Sequence, residues 1–238
     1  MQTPSFPIRA SSRRLHALLL PTLLAVTSAA VLVASPPAAA QAGAAPGASQ
    51  LADPEVAAAL ARFDEAGAGD HAAIEDAAKR LARLSAARPA DPVLRAYAGA
   101  ALAMRALTTR LPWRKMSHTE DGLALVDKAL AQLGPAHEAP LYRGVPAVLE
   151  ARFIAASTFL NLPVMFNRRE RGRQQLDEVL GHPLFDAAPA PFKAVVWLRA
   201  ARLANADQQP ARRRQWLEKA AATNAPQAAA ARDQLKAL

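Results

Sequence analysis

The chain has 238 residues and not one cysteine. No disulfide can hold it together, so whatever folds must be held by packing alone. A lipid-modified cysteine after the apolar N-terminal run is excluded for the same reason. No segment alternates between apolar and polar residues with a period of two, and β-branched residues are scarce beyond the N-terminal forty positions, so strands are not expected. Also missing are a Gly-rich phosphate loop, an H-E-x-x-H pair, a nucleophile elbow and any carboxylate pair in a catalytic setting. An enzyme built from this chain would have to assemble its site wholly through tertiary folding. The chain is therefore read as a non-enzyme that carries no cofactor and no metal.

The N-terminus holds Arg9, Arg13 and Arg14 without an acid, then an apolar run from Leu15 to Ala34, then small residues around Ala38 and Ala40. These are the three parts of a secretory signal in order. Residues 1–40 are read as a signal peptide cut after Ala40 or, two residues on, after Ala42. The rival is an uncleaved anchor in the inner membrane, because the run approaches the roughly 20 apolar residues that a span needs. Taking the three arginines of residues 1–40 from the 29 Lys and Arg leaves 26 against 20 Asp and Glu, a mature charge of about +6. An exported chain rarely meets nucleic acid. The basic excess points instead to an acidic partner, to an anionic membrane surface, or to solubility. Residues 41–52 hold breakers and almost no large apolar side chain and are read as a flexible linker into a domain over 53–238.

From Asp53 onward the signals are helical. Asp53-Pro54 and Asp91-Pro92 each set an N-cap acid before a proline at the first helical position, and Asp70 is a further cap. Ser117-His118-Thr119-Glu120 reads as a capping box. Helices are predicted over 54–66, 70–87, 92–110, 118–133, 145–161, 168–180, 190–206, 209–223 and 226–237. The second carries Ile74, Ala77, Ala78, Leu81 and Leu84 on one face. The fifth, with Val145, Val148, Leu149, Phe153, Ala156, Phe159 and Leu160, has a stripe broad enough for a central helix. Leu184 and Phe185 are expected to plug the one longer connection onto the core. The predicted fold class is all-α, stacked antiparallel helical hairpins, either an α-solenoid or an irregular helical bundle.

Small residues recur where neighbouring helices would cross closely: Ala77-x3-Leu81, Gly122-x3-Val126-x2-Ala129 and Arg213-x3-Leu217-x2-Ala220, with Ala98-Gly99 between the first two and Pro89 and Pro226 after helices. Over about 70–133 and 193–226 this pattern resembles the tetratricopeptide-repeat family, whose units of roughly 34 residues are stacked helical hairpins. The resemblance implies a scaffold or a peptide-binding module.

Several residues are candidates for chemistry or binding. His71 and Glu75 stand one turn apart and could offer two zinc ligands, but a third is lacking nearby, and an ordinary pair beside an N-cap is the simpler reading. His118, Glu120 and Asp121 cluster at the predicted capping box, while His137 and His182 sit in loops. The first choice for a partner-binding surface is Met165 and Phe166 followed by Arg168, Arg169, Arg171 and Arg173. An apolar turn next to guanidinium forks suits an acidic partner or a lipid headgroup, and cations in a first helical turn oppose the helix dipole. Trp113 and Arg114 form a second candidate of the same kind. Closing the core with Met165 and Phe166 and solvating the arginines is the competing reading. The function expected from all of this is an exported helical module that binds a protein partner in the cell envelope. Its alternatives are a carrier of a small apolar ligand or lipid in a cavity between helices, and a hydrolase with an unrecognised site.

Overall fold

The computed structural model describes residues 53–238. The expected signal peptide and linker, residues 1–52, lie outside them. The described residues are helical, with nine α-helices and an isolated antiparallel bridge between Pro140 and Pro146. In chain order these are α1 (Pro54–Gly67), α2 (His71–Ala87), α3 (Pro92–Met104), α4 (Pro112–Ala131), α5 (Ala147–Asn161), α6 (Arg169–Leu180), α7 (Ala190–Ala206), α8 (Pro210–Ala221) and α9 (Ala228–Lys236). None of them is long and apolar enough to cross a membrane.

The caps read from the sequence are present. Asp53, Asp70 and Asp91 each accept two amide hydrogens from the first turns of α1, α2 and α3, at 2.8 to 3.3 Å. Satisfying orphan N–H groups in this way fixes where three helices begin.

The capping box at Ser117 does not form. Helix α4 starts at Pro112, a proline in the first helical turn, and runs straight through residues 117–120. Inside that helix the Thr119 hydroxyl donates to the Lys115 carbonyl at 2.8 Å and the Ser117 hydroxyl to Asp121 at 3.0 Å. Hydroxyls that would cap a start are here spent within the helix. Pro112 also holds Leu111 extended. The third predicted helix stops at Met104, followed by a short 3-10 turn, Arg105–Leu107, instead of reaching 110.

Consecutive helices pack as hairpins, α1 on α2, α3 on α4, α5 on α6 and α7 on α8. Helix α5 sits inside the stack, touching α3, α4 and α6, and its first residues, Ala147 to Ala151, are all buried. Phe185 is buried and meets Phe192 and Trp197 edge to face at 6.4 and 5.8 Å, so the long connection plugs the core as its two apolar residues suggest.

The tightest crossing is between α3 and α4. A Cβ added to Gly99 would lie 2.6 Å from the Gly122 carbonyl oxygen, and one added to Gly122 would lie 2.5 Å from the Gly99 oxygen and 2.7 Å from the Ala103 amide. Backbone meets backbone at both points, so neither neighbour can swing aside. Gly99→Ala and Gly122→Ala should each cost about 1–3 kcal/mol or more in chemical denaturation, as overpacking against an immovable neighbour does. Gly67→Ala, with open space around the added methyl, should change stability by less than about 0.5 kcal/mol. Equal, small effects at all three positions would show that the crossing is not tight.

Candidate functional site

Contact register locates the turns. Gly99 and Ala103 of α3 oppose Gly122 of α4. The same stretch of α4, Leu123 and Val126, clusters with Ala155 and Phe159 of the C-terminal half of α5. Two positions before Gly99, Tyr97 of α3 reaches Glu150 in the first turn of α5. Helices α3 and α5 therefore run in the same direction, and the turns that follow them leave the stack at one end.

Both turns expose large apolar side chains. After α3 these are Leu107, Leu111 and Trp113, the last 67% exposed; after α5 they are Val164 and Met165, 87% and 72% exposed. Phe166 differs, being half-buried against the cluster of Leu123, Val126 and Phe159. Of the expected pair, only Met165 faces outward.

The arginines after Phe166 hold the turn in place. Arg168 and Arg171 both pair with Asp127 of α4, at 3.2 and 2.7 Å, and both guanidinium groups lie over the Phe159 ring at 5.6 and 5.3 Å. Arg169 and Arg173 both pair with Asp207 at the end of α7, Arg169 at 2.7 Å. The paired arginines hold the Asp207 carboxyl below its ordinary pKa, with Arg173 the main cause. These four cations tie α6 to α4 and α7, each with a carboxylate beside it at a helix start where the dipole alone disfavours positive charge. Arg114 and its neighbours Arg110 and Lys115 are exposed, with no carboxylate within 4 Å among the described residues.

The remaining candidates are spread apart. Glu75 pairs with Arg105 at 2.8 Å and with Lys79 at 3.8 Å instead of joining His71 in a metal set. No group of three potential metal ligands occurs among the described residues. The rings of His137 and His182 accept backbone amide hydrogens from Gly134 and Leu184, at 3.1 and 3.2 Å, and so shape local turns. His118 lies inside α4.

A polar cluster inside the stack escaped the sequence reading. Glu150, 2% exposed, accepts a hydrogen bond from the Tyr97 hydroxyl at 2.8 Å on Oε1, while its Oε2 is buried without a partner. Nearby, the Tyr142 hydroxyl donates to Oδ2 of the capping Asp91 at 2.6 Å. Arg88 links Tyr142 to Asp53. The turn that carries Tyr142 contains Arg143 at φ 53° and Gly144 at φ 69°, and Arg143 pairs with Asp64 at 2.8 Å. A left-handed non-glycine residue costs of order 1 kcal/mol or more, which the ion pair and the buried tyrosine oppose. A lone acid in the apolar stripe of the fifth helix was the available signal. Its partner lies 53 positions away, and no local pattern points there.

No protein-family model, no curated protein and no solved structure matches the chain.

Burial pushes the Glu150 pKa up from 4.5 to about 7, against the bond from Tyr97 and the charge of Arg143, which favour the carboxylate. A carboxyl that holds its proton more tightly when folded adds stability that is complete below about 4.5 and lost as the pH rises to about 7. Denaturation at intervals between those values should show stability falling by about 3 kcal/mol. Glu150→Gln should abolish that slope while keeping the bond from Tyr97. An identical slope in the variant would clear Glu150 as its source.

Proposed function

We propose that this chain is an exported module of the cell envelope, tetratricopeptide-like in its hairpin stacking, that works by docking a protein partner and not by catalysis. The observation that carries the reading is the turn after α5. Val164 and Met165 project from it almost fully exposed, while the residues on its C-terminal side are held. Phe166 packs inward, Arg168 and Arg171 grip Asp127, and Arg169 and Arg173 grip Asp207. An apolar knob on a braced base loses little conformational freedom when it enters a pocket, which is the condition under which small apolar contacts yield affinity. The guanidinium groups of Arg169 and Arg171, nearly half exposed around it, would favour an acidic rim on the partner.

The test uses the full chain expressed in bacteria and cross-linked in intact cells. A discrete adduct with one protein is expected, and Val164→Asp with Met165→Asp should reduce it at least about tenfold. The thermal midpoint should stay unchanged, since both side chains are exposed. If no adduct forms, or if the doubly substituted chain forms it equally well, the reading fails.

A further inference from the structure

The turn between α3 and α4 differs in kind from the one after α5. In the nine residues from Leu107 to Lys115 it exposes three large apolar side chains, Leu107, Leu111 and Trp113, and three cations, Arg110, Arg114 and Lys115. No acid occurs between Arg105 and Glu120. The arginines after α5 are spent on Asp127 and Asp207, but the three cations here face solvent with no carboxylate within 4 Å among the described residues. The apolar residues sit at a helix-to-helix turn on the end of the stack, with Trp113 67% and Leu107 63% exposed. They project outward. A peptide is usually gripped in a concave site, whereas a protruding edge of leucine and tryptophan flanked by free cations matches the boundary between acyl chains and anionic headgroups.

We propose that the turn Leu107–Lys115 seats this protein on an anionic lipid surface. Leu107, Leu111 and Trp113 enter the interface, and Arg110, Arg114 and Lys115 contact phosphate. The surface is separate from the Val164–Met165 knob and goes beyond the docking of a protein partner. Because both turns leave the same end of the stack, the knob is held close to the membrane when the turn is seated.

The full chain, purified as bacterial cells export it, is mixed with vesicles of phosphatidylcholine alone or of phosphatidylcholine and phosphatidylglycerol at seven to three, then floated on a density gradient. It should float with the anionic vesicles, much less with the neutral ones, and progressively less as salt is raised. Charge reversal of Arg110, Arg114 and Lys115 to Glu should weaken binding by at least about a hundredfold, since losing three surface cations alone is worth about that and the added acids repel the lipid. Trp113→Ala should weaken it several-fold. A control reversing Lys128, Lys193 and Lys219, at the other ends of α4, α7 and α8, the first and last exposed and Lys193 half-buried, should bind as the parent does. Equal flotation with neutral vesicles, or unaltered binding after reversal of the turn's cations, would overturn the proposal, the second assigning the binding to another part of the chain. Equal loss in the lysine control would overturn it in favour of unspecific attraction. No flotation with either vesicle would return the turn to the class of protein contacts. The Val164→Asp, Met165→Asp chain should lose its protein adduct yet still float, so the two readings fail independently.

Discussion

Gly99 and Gly122 bring α3 and α4 so close that the carbonyl oxygen of each stands where a side chain on the other would begin. Much of the stack is organised around that crossing. It presents Leu123 and Val126 to α5 as one continuous apolar surface, and it sets Asp127 where Arg168 and Arg171 can reach it. With α3 and α4 held apart by even one methyl group, α5 would lose part of its bed. The glycines are thus not conformational conveniences, because what matters is the missing side chain and not backbone freedom.

Helix α5 then meets a second constraint. It is covered by three neighbours yet carries Glu150 in its first turn. One carboxylate oxygen is satisfied by Tyr97, and the other is buried without a partner. A buried acid of this kind is tolerated most easily when neutral. The stack's interior is therefore sensitive to pH in a range where its surface ion pairs are not, since the shifted carboxylates of Asp53, Asp76 and Asp207 move downward. Two tyrosine–carboxylate contacts and the Arg143 turn knit α1, α3 and α5 together, while the turns after α3 and α5 project apolar side chains.

The arginines divide along the same lines. Those after Phe166 bridge helices by sharing Asp127 and Asp207 two to one, Arg173 through both of its terminal nitrogens, the use for which guanidinium is better suited than ammonium. Those beside Trp113 bridge nothing among the described residues. A composition rich in arginine hides this difference, because both groups read as basic runs next to apolar residues. The segment at Met165 looked the richer in free charge, and the segment at Trp113 turned out to hold it.

What the sequence by itself determined is local or periodic. The helical class, the starts at Asp53, Asp70 and Asp91, and the small residues at the α3–α4 crossing were all legible, because caps act over three residues and helical faces repeat every three to four. The capping box at Ser117 was misleading for the same reason: a local signature was overridden by Pro112 five residues earlier. Only the tertiary structure decided which charges are free and which acid is buried. Arg169 finds Asp207 across 38 positions, Glu150 finds Tyr97 across 53, and Arg143 finds Asp64 across 79. Pairings at that range follow from how the hairpins stack, and stacking is set by shape and burial summed over many side chains, which no single stretch of residues encodes.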